Sequence, residues 1–172
     1  KPWAPKNSSN NYAGFETLKS ALANSRNTIT ARLMNEIGPQ PVINLAKGLG
    51  VEQNLPAVPS IALGTPDLSI YEMVAAYGCF ANKGVYTKPV MVTRIEDKNG
   101  TLLYQFSPKT RDVLSEEIAY VVVNLMEGVT KFGSGQRLRH NFGKDLAVYK
   151  EIVTGYPYEF DNPIAGKTGT TQ

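Results

Sequence analysis

The chain has 172 residues and 42% hydrophobic content, enough for one domain with a real core, and that composition excludes a wholly disordered chain. A net charge of +3 with scattered basic residues, grouped only at Arg137-Leu138-Arg139-His140, excludes a nucleic-acid-binding stripe. The single cysteine, Cys79, rules out an internal disulfide, and one histidine without a close carboxylate cluster leaves no zinc site to expect.

Residues 1–14 read as loop, since Pro2, Pro5, Asn7, Ser8, Ser9, Asn10, Asn11 and Gly14 all form turns. A helix is predicted over about 15–24, with Leu18 and Leu22 one turn apart. Ser25, Arg26 and Asn27 interrupt it, and Asn27 is expected to cap a second helix carrying Ile29, Leu33 and Ile37 and stopped by Gly38-Pro39. Ser25-Arg26-Asn27 therefore falls at a helix-to-helix joint. A third helix is predicted near 41–47, ending at Gly48. A proline-rich connector over 56–67 leads to Ser69-Ile70-Tyr71-Glu72, a capping box in which the hydroxyl and the carboxylate each take an otherwise unpaired backbone donor. The helix behind it carries Met73, Val74, Tyr77 and Phe80, is expected to be mostly buried, and stops at Asn82-Lys83-Gly84. Cys79 within it reads as a small core hydrophobe rather than a nucleophile.

A β-hairpin is predicted over 86–106, its strands at 90–95 and 102–106 joined at Asn99-Gly100. A further helix starts at Ser115, places Glu116 and Glu117 in its positive first turn, carries Ile118, Val121, Val122, Leu125 and Met126, and is expected to end near Gly128. Gly133-Ser134-Gly135 then opens a polar insertion over 136–162, long enough to read as a binding loop or a disordered excursion. Ile164 and three threonines favour a final strand over 163–171, where Gly166 and Gly169 let a ligand or another chain lie close. Lys167 between them is suited to gathering an anion or passing a proton, because burial and neighbouring charges readily shift a lysine; it also fits a solvent-facing strand edge protected from aggregation.

Ser25-x-Asn27 together with Lys167-Thr168-Gly169-Thr170 resembles two of the three signatures of the serine enzymes that react with penicillin. The sequence between them is similar as well: Phe15-Glu16-Thr17-Leu18-Lys19-Ser20-Ala21-Leu22, Ser60-Ile61-Ala62-Leu63-Gly64, Ala75-Ala76-Tyr77, Phe80-Ala81-Asn82-Lys83-Gly84 and Gly133-Ser134-Gly135 resemble the transpeptidase domain of class A penicillin-binding proteins over nearly the whole chain. The resemblance implies an α+β, serine β-lactamase-like fold, represented here by most of the helical lobe, the hairpin and the Lys-Thr-Gly strand of an incomplete central sheet. It implies a peptidoglycan D,D-transpeptidase that cross-links stem peptides through a serine acyl-enzyme and is acylated by β-lactams, without cofactor or metal. By the same resemblance Lys167 is a second cation that keeps the general-base lysine neutral, and Ser25 bridges the two as a proton relay. Asn27 orients the substrate amide, Thr168 and Thr170 hold its carboxylate, Gly169 admits it to the strand, and the Thr170 N–H is one oxyanion donor.

One signature is missing. None of Ser8, Ser9, Ser20, Ser25, Ser60, Ser69, Ser107, Ser115 or Ser134 has lysine three positions on. In the family the nucleophile's Ser-x-x-Lys precedes Ser-x-Asn, so it is expected before Lys1, on a piece of a longer protein anchored at the outer face of the bacterial cytoplasmic membrane. The 172 residues alone are expected to be inactive, and the final strand to pair with a second copy or with the rest of the domain or, failing that, to fray into an exposed segment. Three alternatives stand beside this one: a β-lactamase or D,D-carboxypeptidase of the same fold, a non-catalytic β-lactam-sensing relative, and a hydrolase using Ser134 with His140. The last is disfavoured because no strand precedes Gly133.

Overall fold

A computed structural model describes residues 3–8, 12, 14–139 and 160–169. His140, Thr170 and residues 141–159 of the polar insertion lie outside the described residues. The chain forms two compact units, one of Met34–Tyr120 and one of Lys1–Leu33 with Val121–Gln172.

In the unit of residues 34–120, helix α3 (Pro39–Gly48) starts at Pro39, whose fixed φ and missing N–H suit a first helical position, two residues before the expected start. A 3₁₀ turn at Pro59–Leu63 leads to α4 (Ile70–Ala81). The capping box at its start is complete: Ser69 Oγ accepts from the Glu72 N–H at 3.2 Å, and the Glu72 carboxylate accepts from the Ser69 N–H at 2.9 Å. Glu72 also accepts from the N–H groups of Glu52 and Gln53, at 3.0 and 3.1 Å. These donors, the Ser69 hydroxyl first, hold its carboxyl at about 2, well below the usual carboxylate range. The expectation that α4 is mostly buried is corrected: the covered face is Glu72, Ala75, Ala76 and Cys79, while Met73 and Val74 are exposed. Cys79 is fully buried in a small core with Leu49 and Ala76, against which Phe80, Tyr86 and Val113 pack.

Beyond α4 two antiparallel pairs nest one inside the other. The inner pair, β2 (Arg94–Glu96) with β3 (Leu102–Gln105), is the expected hairpin with shorter strands, and a register irregularity sits between Ile95 and Glu96. Asp97 closes its turn by accepting from the N–H groups of Asn99 and Thr101, both at 2.8 Å. The outer pair, β1 (Val85–Thr87) with β4 (Thr110–Asp112), has no counterpart in the sequence reading, because three exposed polar residues after Pro108 carry no strand pattern. Arg111 of β4 lies 4.4 Å over the Tyr86 ring and donates to the carbonyls of Lys47 and Gly48, where a cation complements the C-terminal end of α3.

In the other unit, α1 (Leu18–Ala23) begins later than expected, after Thr17, whose hydroxyl accepts from the Ser20 N–H. Helix α2 (Asn27–Ile37) buries Ala31 and Met34, not the expected row of Leu33 and Ile37, which are exposed. Helix α5 (Glu116–Lys131) passes through Gly128 instead of stopping there, and its covered face is Ala119, Met126, Val129 and Thr130 while Ile118 and Val121 are exposed. Gly128 is a close-approach glycine: a Cβ there would lie 2.9 Å from the Phe132 ring, 3.4 Å from Lys19 and 3.5 Å from Ala23. The α1 side chains beside it contribute to the same contact, with Lys19 donating to Asn124 at 2.8 Å.

Candidate active site

Ser25 sits between α1 and α2 in a left-handed conformation, φ 54°, which a serine adopts only where its surroundings hold it. Those surroundings are specific. The Ser25 N–H donates to Leu22 O at 3.1 Å and the Arg26 N–H to Ala21 O at 2.9 Å. The largely buried Arg26 guanidinium lies 3.3 Å from the Glu16 carboxylate, whose other oxygen accepts from the Ser20 hydroxyl at 2.7 Å. The residue between Ser25 and Asn27 thus pins the joint to the start of α1.

Asn27 is the first residue of α2 and does not cap it, which corrects the expectation. Its side-chain amide donates to Lys6 O at 2.9 Å. The capping oxygen comes instead from the buried Asn7, which accepts from the Thr28 N–H at 3.1 Å and lies 3.2 Å from the Thr28 hydroxyl. A cap twenty-one positions upstream leaves no local signature.

Lys167 reaches the joint from the far end of the chain. Its ammonium donates to Ser25 Oγ at 2.9 Å and to the Thr168 carbonyl at 3.0 Å. Partial burial pushes its pKa below the ordinary 10.5. Because the Ser25 oxygen accepts from Lys167, its own O–H is free to donate elsewhere, the orientation a proton relay needs. Thr168 and Gly169 are exposed and accessible. Asn27 is thus on the joint, and its amide is committed to Lys6.

The segment carrying Lys167 is fixed without a ladder: among the described residues, 163–169 pair with no strand, which fits the incomplete central sheet expected from the sequence. Side chains from α5 and the turn beyond it hold the segment instead. Thr130, almost fully buried, donates to Ile164 O at 2.8 Å. Arg139 donates to Thr130 Oγ1, Phe160 O and Asn162 O at 3.2, 3.1 and 3.0 Å. The Ser134 hydroxyl lies 2.6 Å from that of Thr168. The sequence marks none of Thr130, Arg139 and Ser134 as a site residue; Ser134 stands out in it only through its flanking glycines, as part of the family resemblance and as the nucleophile of the disfavoured hydrolase. Ser134 follows a helix rather than a strand, so it is not on a nucleophile elbow.

Among the described residues no group of three His, Cys, Asp or Glu side chains is placed to hold a metal ion. What the site offers is a half-buried cation on a serine hydroxyl, beside exposed threonine and glycine positions.

The family profile described as penicillin binding protein transpeptidase domain matches residues 1–172. Penicillin-binding protein 1A of Clostridium novyi (strain NT) is 31% identical over 176 residues, covering 98% of this chain and 18% of the relative. The crystal structure of the D,D-transpeptidase domain of a peptidoglycan glycosyltransferase from Eggerthella lenta superposes with a TM-score of 0.74 at 21% identity, over 96% of this chain and 44% of that one. The PonA1 protein of Mycobacterium tuberculosis, solved in complex with penicillin V, gives 0.65 at 25% identity over 73% of this chain and 37% of that one. The chain spans about a fifth of the length of the curated relatives it matches.

Proposed function

This chain belongs to the penicillin binding protein transpeptidase domain family, and from that membership we propose that it serves a peptidoglycan D,D-transpeptidase that cross-links stem peptides and is acylated by β-lactams. The observation that carries the proposal is the 2.9 Å bond from Lys167 Nζ to Ser25 Oγ, which joins two family signatures across 142 positions of sequence.

The chemistry runs as follows. A serine in a Ser-x-x-Lys segment, which these 172 residues do not contain, attacks the carbonyl carbon of the stem peptide or of the β-lactam ring. Its proton passes to the lysine of that segment. Lys167, a cation beside it, keeps that lysine neutral and ready to accept. Ser25, whose oxygen already accepts from Lys167, carries the proton on to the departing amine. The C–N bond breaks, and the acyl group stays on the nucleophile until an amine of a second stem peptide takes it. Thr168 and Thr170 hold the substrate carboxylate, Asn27 turns its amide from Lys6 to the substrate amide, and Gly169 keeps the path clear. The Thr170 N–H donates to the oxyanion, a kind of contact worth about a hundredfold in rate. We place the protein at the outer face of the bacterial cytoplasmic membrane, where its substrate is; among the described residues no helix is long and apolar enough to cross a membrane.

Fluorescent penicillin and a denaturing gel test the reading. The full-length protein is expected to carry a covalent band, and the 172-residue chain alone to carry none. An unlabelled full-length protein overturns the transpeptidase assignment; a labelled 172-residue chain overturns the placement of the nucleophile.

A further inference from the structure

The Gly133-Ser134 step touches both halves of the site. The Ser134 N–H donates to Ala23 O at 2.9 Å, two residues before Ser25. That approach requires glycine at 133, where a Cβ would lie 2.3 Å from the same carbonyl oxygen. The Ser134 hydroxyl lies 2.6 Å from Thr168 Oγ1, and either oxygen is able to donate. Thr168 O accepts from Lys167 Nζ at 3.0 Å, and Lys167 Nζ donates to Ser25 Oγ at 2.9 Å. The contacts close a ring: Ala23, Ser25, Lys167, Thr168, Ser134 and back to Ala23. Of the polar side chains in that ring, Ser134 alone has no part in the proton relay or the carboxylate contact proposed above.

Resting on the transpeptidase reading, we infer that Ser134 is a positioning residue that closes this ring and thereby fixes the Ser25–Lys167 pair. The physical argument is geometric. Ser25 is held at a positive φ, and Lys167 rides on a segment with no ladder, so neither end of their hydrogen bond is fixed by regular secondary structure. A proton relay loses rate steeply when its groups drift from hydrogen-bond distance, and a closed ring restricts that drift more than an open chain of the same bonds. Substituting Ser134 by alanine keeps the backbone bond to Ala23 and removes only the link to Thr168.

The test uses the full-length protein, whose wild-type form must first be labelled by fluorescent penicillin; a wild type that is never labelled counts against the transpeptidase reading instead. With labelling established, acylation is followed over a range of penicillin concentrations to separate affinity from the acylation rate constant. Ser134→Ala is expected to lower the rate constant about tenfold with affinity within about twofold of wild type, and Ser134→Thr, which keeps a hydroxyl, to restore it to within about threefold. Ser134 is exposed, so neither variant disturbs the core. A rate constant within about twofold of wild type in Ser134→Ala, a loss confined to affinity, or a threonine variant as slow as the alanine one overturns the inference.

Discussion

Residues 34–120 and the residues of the other unit reach fixed geometry by opposite means. In 34–120 the defining bonds are mostly local: Ser69 to Glu72 across 3 positions, Asp97 to Thr101 across 4, Asn82 to Val85 across 3. The long-range bonds there, from Arg111 to Gly48 and from Glu52 to Glu72, brace the end of a helix and a loop. In the site-bearing unit the defining bonds span 142 positions from Lys167 to Ser25, and 34 each from Thr130 to Ile164 and from Ser134 to Thr168. A local bond re-forms whenever its segment folds, so damage to it is read as lost stability. A bond between distant segments holds reactive groups at a distance, so damage to it is read first as lost chemistry.

The sharpest way to break this contrast is at the proposed relay itself, the Lys167–Ser25 pair. Ser25→Ala and Lys167→Ala in the full-length protein are each expected to slow penicillin acylation by about a hundredfold or more while the melting temperature stays near that of wild type. Wild-type rates in either variant would remove that residue from the relay, and a collapsed melting temperature would make the bond structural. Next in size is Thr130→Val, which keeps shape and removes the buried hydroxyl between Ile164 O and Arg139. It is expected to cost about 1–3 kcal/mol and to raise amide exchange across residues 164–166. Unchanged exchange there would mean that the Lys167 segment does not depend on α5 for its anchor.

The smallest effect belongs to the local side of the comparison. Ser69→Ala removes the cap of α4 and is expected to cost about 1 kcal/mol in urea unfolding without altering acylation. The same capping box gives a pH signature. Glu72 is lowered from the ordinary 4.5 to about 2 in the folded protein, so between those values the unfolded chain binds more protons than the folded one. The stability Glu72 contributes is present above about pH 4.5 and is lost as the pH falls through about 2; Glu72→Gln is expected to flatten that part of the acid profile. A Ser69→Ala variant that acylates slowly would show that the two regions are not separable in the way proposed.

Sequence alone determined much of this protein, wherever the physics is local. The capping box, the Asn99-Gly100 turn, Cys79 as a core residue and the helix–joint–helix around Ser25 are all written in neighbouring residues, because caps, turns and side-chain periodicity act within a few positions. The pairing of Ser25 with Lys167 was legible only through the family resemblance, since nothing in either segment points to the other. Four features were settled by the tertiary structure. Gly128 reads as a helix end until Lys19 and Ala23 are seen against it. Asn7, not Asn27, caps α2. β4 is a strand because β1 lies beside it, and not through its own exposed residues. Thr130, Arg139 and Ser134 hold the Lys167 segment, for which the sequence offered no partner within the chain. In each case the deciding partner is at least ten residues away, and a pattern read along the chain carries no record of what folding will bring beside it.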